Sequence, residues 1–185
     1  MKDDRYEIDA EGMDYRRLNE LVRDCGETRI LIRNCCGQRY LASGSGGREI
    51  LVEGIPGNAL GAYLDGTKIR VRGNAQEATG DTMNGGEILI EGDSGDATGY
   101  AMRGGRIFVR GNAGYRAGIH MKAYRDRVPA LVIGGRAGDF LGEYLAGGVI
   151  VVLGMGSGQG PVAGSCCGTG MHGGKIYLRG RTLPA

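Results

Sequence analysis

A glycine that returns every 19 residues constrains this chain more than any other feature. The segments Ile50-Leu-Val-Glu-Gly54, Ile69-Arg-Val-Arg-Gly73, Ile88-Leu-Ile-Glu-Gly92 and Ile107-Phe-Val-Arg-Gly111 superpose directly, and their closing glycines are 19 residues apart. Gly135 follows Gly111 by 24 residues, Gly154 follows Gly135 by 19, and Gly180 follows Gly154 by 26, which predicts insertions of five and seven residues. A weaker first copy, Ile30-Leu-Ile-Arg-Asn34, ends 20 residues before Gly54. A fixed period of this length is the signature of a solenoid, in which each repeat is too short to bury its own apolar face and stacks on the next. The short β-branched runs make the repeating element a strand, and each repeat ends in a small pair such as Gly85-Gly86 or Gly104-Gly105, which is turn punctuation. The fold expected is all-β: a right-handed, single-stranded parallel β-helix of about seven coils.

Stacking in register turns each repeat position into a column. One column reads Ile50, Ile69, Ile88, Ile107, Leu131, Ile150, Ile176; two residues on, another reads Val52, Val71, Ile90, Val109, Ile133, Val152, Leu178. Period-2 alternation puts both inside. A third apolar column, Leu64, Met83, Met102, Met121, Leu145, Met171, is read as core packed with adaptable thioethers rather than as a copper site. Residues 49, 68, 87 and 106 are Glu, Lys, Glu, Arg, and residues 53, 72, 91 and 110 are Glu, Arg, Glu, Arg. These outward columns of alternating sign select register, because a slip of one coil sets like charges side by side. Between them, residues 51, 70, 89, 108, 132, 151 and 177 form an outward stripe that is apolar from Leu89 onward. Leu89, Phe108, Val132, Val151 and Tyr177 are therefore the candidate interface, for a partner subunit or a second copy of the chain.

The length fits one domain, or one solenoid with a small cap: a cap segment, residues 1–29, and a β-helix, residues 30–185. In the cap, Asp14 reads as the N-cap of a short amphipathic helix with Tyr15, Leu18, Val22 and Cys25 on one face. The insertions fall near 122–129 and 155–170, and loops that break a repeat are natural places for function.

Composition narrows the function classes. The 38 glycines among 185 residues far exceed the usual ~7%. They punctuate β-branched runs without a triplet period, so neither collagen nor disorder fits. A net charge of +2 with acids and bases interleaved gives no nucleic-acid groove. No apolar run suits a signal peptide or a membrane span, so the expected location is the cytoplasm. Cys25, Cys35, Cys36, Cys166 and Cys167 lack the spacing of a zinc, redox or iron–sulfur site and read as reduced structural thiols.

A search for chemistry finds no site. Gly158-x-Gly160-x-x-Ala163 follows a strand but opens no helix pattern, and Leu178 stands where an acid is wanted for a dinucleotide. A P-loop near Lys175 fails because Thr169 replaces its first glycine and Ile176 its hydroxyl residue. His120 and His172 neighbour inward methionines, point outward and lack a third ligand. Asp126, Asp139, Glu143 and Arg125 read as solvated loop charges, and no nucleophile triad is visible. No catalytic, cofactor-binding or metal residue is assigned to this chain.

From Arg39-Tyr40 to Gly180 the chain resembles the C-terminal Gly-x-Gly-x-Gly domain of the glutamate synthase large (alpha) subunit. The resemblance lies in Gly73-Asn-Ala-Gln76, Gly99-Tyr-Ala-Met-Arg-Gly-Gly105, Gly114-Tyr-Arg-Ala-Gly-Ile-His-Met121, Asp139-Phe-Leu-Gly-Glu-Tyr-Leu-Ala-Gly-Gly148 and Gly170-Met-His-Gly-Gly174, with Ile8-Asp-Ala10 and Tyr15-Arg-Arg-Leu-Asn19 before them. It implies a right-handed β-helix. It also implies a context in which glutamine and 2-oxoglutarate yield glutamate with FMN and an iron–sulfur cluster. In that family an N-terminal cysteine hydrolyses glutamine and FMN sits in a β/α barrel. This chain begins Met-Lys and shows no βα alternation, so both parts, and both cofactors, are expected in partner subunits. The expected role is a docking scaffold for glutaminase and FMN-barrel subunits, with no reaction of its own. Two related scaffolds fit next: the subunit of formylmethanofuran dehydrogenase that carries similar glycine-rich coils, and the corresponding subunit of N-methylglutamate synthase. A different class of reading is a free-standing β-helix enzyme or ligand binder using the Met155–Gly170 loop.

Overall fold

The computed structural model describes residues 5–180. Nine strands form one parallel sheet in chain order: β1 (Tyr6–Asp9), β2 (Arg29–Cys36), β3 (Glu49–Ile55), β4 (Lys68–Arg72), β5 (Glu87–Ile90), β6 (Arg106–Val109), β7 (Ala130–Ile133), β8 (Ala146–Val152) and β9 (Gly173–Leu178). One helix, α1 (Tyr15–Asp24), lies between β1 and β2. The sheet is open, with β1 and β9 at its edges.

Every strand pairs with the next one in the chain, and the register follows the repeat. Ile50 sits beside Ile69, Ile69 beside Ile88, Ile88 beside Ile107, Ile107 beside Leu131, Leu131 beside Ile150 and Ile150 beside Ile176. The second column behaves likewise from Val52 to Leu178. The inward alternates are dry: Ile69, Ile88, Ile107, Leu131 and Ile150 are buried. Seven strands, β3 to β9, carry the seven aligned segments. β2 carries the weak first copy, and β1 is an addition that periodicity did not announce. The 20-residue step before Gly54 has a local cause. Ile30 pairs with Ile50, then the register shifts by one before Cys35 meets Gly54. Asn34, at φ 54°, is the extra residue; asparagine enters the left-handed region more readily than most residues, and here its side chain donates to Asp9 Oδ1 on the neighbouring strand at 2.9 Å.

The connecting segments stack as regularly as the strands. Ala75, Ser94, Ala113, Ala137 and Ala163 form a second run of parallel bridges, one per turn. Beside it runs a hydrogen-bonded ladder of short polar side chains. Asn74 Oδ1 accepts the Asp93 amide at 2.9 Å, Asp93 Oδ1 accepts the Asn112 amide at 2.6 Å, and Asn112 Oδ1 accepts the Arg136 amide at 2.9 Å. This ladder explains three of the repeating glycines, while at Gly54 and Gly73 the nearest obstacle is a backbone carbonyl of the turn before. A Cβ on Gly92, Gly111 or Gly135 would lie 2.1, 2.2 or 2.4 Å from the side-chain oxygen of the turn before, which no real carbon tolerates.

The same economy shapes the core. Gly61, Gly80, Gly118 and Gly142 take φ between 63° and 72°, and the Cδ1 atoms of Ile88, Ile107, Ile150 and Ile176 fill the space where each Cβ would stand. Met83, Met102 and Met121 are fully buried beside them, as expected of core thioethers. Met171 is not: at 36% exposure it belongs to the last turn, with no further turn among the described residues to cover it.

Helix α1 begins where its N-cap predicts. The Asp14 carboxylate accepts the Arg16 amide at 2.9 Å, and Leu18 and Val22 are buried against the first strands. Its C-terminal carbonyls are held from the sheet side. Arg48 donates to the Val22 carbonyl, to Arg23 O at 2.9 Å and to Cys25 O at 3.3 Å, placing a cation at the negative end of the helix dipole.

Candidate interaction surface

The outward alternates of the sheet make one continuous column. Leu31 lies beside Leu51, Leu51 beside Arg70, Arg70 beside Leu89, and then Leu89, Phe108, Val132, Val151 and Tyr177 follow in order. The five residues expected as an interface are thus brought together in a single stripe. Leu89, Phe108, Val132 and Val151 are half-buried, shielded by their neighbours above and below, and Tyr177 is 52% exposed. Arg70 interrupts the column and is tied to Glu91 at 2.5 Å. Beyond it, Leu31 and Leu51 also point outward yet are only 3% and 6% exposed. Arg5 lines the same groove of about 280 Å³ as Leu51, Arg70 and Leu89.

Charged columns flank the stripe. Arg29, Glu49, Lys68, Glu87 and Arg106 are successive partners of alternating sign. On the other side, Glu53 sits between Arg33 and Arg72, each 2.7 Å away. These exposed pairs contribute about 0.2–1 kcal/mol each, so they set register more than they set stability. Both columns lose their charges further along, where Ala130, Val149 and Leu153 stand, and are positive again at Lys175 and Arg179.

The side chains that could carry chemistry are dispersed. Among the described residues no three of His, Cys, Asp and Glu lie close enough together to hold a metal ion. His120 stacks on Tyr144 at 5.2 Å and meets Tyr100 edge-on at 5.9 Å; His172 is exposed, with its Nδ1 3.3 Å from Gly170 O. Asp139 accepts the Ser165 amide at 2.8 Å, and Asp126 and Arg125 are exposed. Glu143 corrects the sequence reading: far from being solvated, it is 7% exposed and pairs with Arg116 at 2.9 Å. Neither of these two atoms makes a directed hydrogen bond, so charge holds them. The Arg116 guanidinium also lies over the rings of Tyr115 and Phe140. Nothing in the periodicity marks this pair, because the two residues occupy different repeat positions.

All five thiols are free. Burial pushes the Cys35 thiol up to about 11 and raises Cys167 as well, which makes both poor nucleophiles. Cys36 and Cys166 are exposed. The Gly158-x-Gly160 stretch lies in turns, and no helix follows it among the described residues. A cleft of about 620 Å³ opens between α1 and the first turns, lined by Tyr15, Asn19, Tyr40 and Ser45, with Arg48 committed to the helix carbonyls. No helix of the described residues is long and apolar enough to cross a membrane.

Two comparisons bear on what such a surface belongs to. The family model described as the GXGXG motif matches residues 23–183. A relative, an uncharacterized protein of Methanocaldococcus jannaschii, is 52% identical over 183 residues, covering 94% of this chain and 70% of the relative.

Proposed function

The chain belongs to the GXGXG motif family, the family of the C-terminal domain of the glutamate synthase alpha subunit, and on that premise we propose that it is a docking scaffold within a glutamate synthase-type complex. Its task is to hold a glutaminase subunit and an FMN-barrel subunit with its iron–sulfur cluster in fixed relation, so that ammonia released by one reaches the other. The observation that carries this reading is the family match over most of the chain. The stripe from Leu89 to Tyr177 supports it. Five apolar residues in one line along a solvent-facing sheet are what a docking face needs.

The finer fold belongs to the same proposal. The strands are parallel and each connection returns to the next strand, a geometry that is right-handed in ~98% of parallel crossovers, so the chain winds as a right-handed β-helix. Of the described residues, 5–29 begin the solenoid with β1 and α1, and 30–180 form the coils, with α1 closing the first turn. Free thiols in a cysteine-containing chain suit the cytoplasm.

The test is direct association. Mixed with purified glutaminase-type and FMN-barrel subunits, the chain is expected to sediment as one complex of fixed stoichiometry. Sedimentation of the chain apart from both, or glutamate formation by the chain alone, overturns the proposal.

A further inference from the structure

The last strand carries an instruction for one more. Along the column Arg29, Glu49, Lys68, Glu87, Arg106, each charge has an opposite charge on an adjacent strand. In β9 that rule is unfulfilled from within. Lys175 sits beside Val149 and Arg179 follows the Val152–Leu178 pair beside Leu153, so the inner neighbours of both cations are apolar. Among the described residues neither makes an ion pair. Between them, the core columns come into the open. Ile150 and Val152 are fully buried, whereas Ile176 and Leu178, of the same type in the next turn, are half-buried, and Met171 is 36% exposed where Leu145 is fully buried. The edge of β9 is also the edge of the sheet.

We propose that the edge of β9 binds an extended segment of a partner protein as a tenth parallel-sheet neighbour, with the pattern acid, apolar, apolar, apolar, acid. The two acids meet Lys175 and Arg179, the first and third apolar residues cover Ile176 and Leu178, and the middle one continues the stripe beyond Tyr177. Main-chain hydrogen bonds supply affinity and the side-chain pattern supplies selection, as in other strand additions. The pattern reads the same in both directions. The chain contains it twice, as Glu49-Ile-Leu-Val-Glu53 and Glu87-Ile-Leu-Ile-Glu91, each time between basic neighbours. Charge also decides against a second copy of this chain: β9 laid against β9 brings Lys175 and Arg179 of both copies to one seam. The inference stands on the pairing columns and does not depend on which complex the chain joins.

The experiment uses two labelled peptides and the whole chain. A peptide of residues 49–55, flanked by acids, is compared by fluorescence anisotropy with one of residues 106–112, whose flanking residues are Arg106 and Arg110. The acidic peptide is expected to bind about tenfold more tightly, to weaken as salt screens the pairs, and to protect the β9 amides from hydrogen exchange. In the chain carrying Lys175→Glu and Arg179→Glu, checked for folding by its circular dichroism melt, the preference is expected to reverse. Equal binding of the two peptides, protection elsewhere than β9, no binding at all, or dimerisation of the chain through β9 would each overturn the inference.

Discussion

Gly118 carries two constraints at once: a φ of 70°, and a place where a Cβ would stand 2.5 Å from Ile150 Cδ1. Gly118→Ala therefore combines left-handed strain with overpacking, and a loss of about 2–4 kcal/mol is expected from chemical denaturation. Gly156 offers the control. Its φ is 76° but open space surrounds it, so Gly156→Ala is expected to cost only the strain, about 1 kcal/mol. Asp9 shows what local hydrogen bonds do to a charge. The Asn34 side chain donates to it at 2.9 Å and the Glu11 amide at 3.0 Å, and these hold its carboxyl below the ordinary carboxylate value. A lowered carboxylate stabilises the fold above its ordinary pKa, and that contribution is lost as pH falls through the lowered value. Titration of Asp9 by NMR is expected to show the depression, and Asn34→Ala to relieve most of it. Cys35 has the opposite sign. Its thiol is raised by burial from 9.0 to about 11, so the contribution is intact below 9 and is lost as pH rises toward 11. Iodoacetamide at mildly alkaline pH is expected to label Cys36 and Cys166 well before Cys35; labelling Cys35 first would contradict its burial.

At the scale of the strand, identity matters less than column. Glu87 lies between Lys68 and Arg106, so Glu87→Lys sets three cations in line. A loss of about 0.5–1.5 kcal/mol is expected in low salt, shrinking as salt is added; a loss independent of salt would mean the columns do not select register. These columns, and the three apolar ones inside them, were legible from spacing alone, because a stacked repeat maps sequence period directly onto contact. Three features were not. β1 lies outside the repeat, and four residues with one buried Ile8 give no period to read. The bulge at Asn34 shows in the sequence only as a 20-residue step, which does not say where the extra residue sits. The Arg116–Glu143 pair crosses between two repeat positions in neighbouring turns, so no column contains both. The stripe was legible as a column, but the burial of Leu31 and Leu51 at its start was not, because alternation gives the face a side chain takes and not what covers it.

At the scale of the whole molecule, the proposed docking role falls to the outward stripe of the sheet. Phe108 and Val151 sit near the middle of the stripe, half-exposed, and their removal opens no deep cavity. Phe108→Asp together with Val151→Asp is expected to abolish assembly with the proposed partner subunits while lowering stability by no more than about 1–2 kcal/mol, since neither side chain is fully buried. Scaffolding differs from catalysis in what its loss does to coupled reactions. The decisive measurement is the rate of glutamine-dependent glutamate synthesis by the glutaminase and FMN-barrel subunits, with and without this chain, against the rate with added ammonia. The account predicts that omitting the chain cuts the glutamine-dependent rate at least about tenfold, a barrier change of ~1.4 kcal/mol, and leaves the ammonia-dependent rate nearly unchanged. Equal glutamine-dependent rates with and without the chain would contradict it.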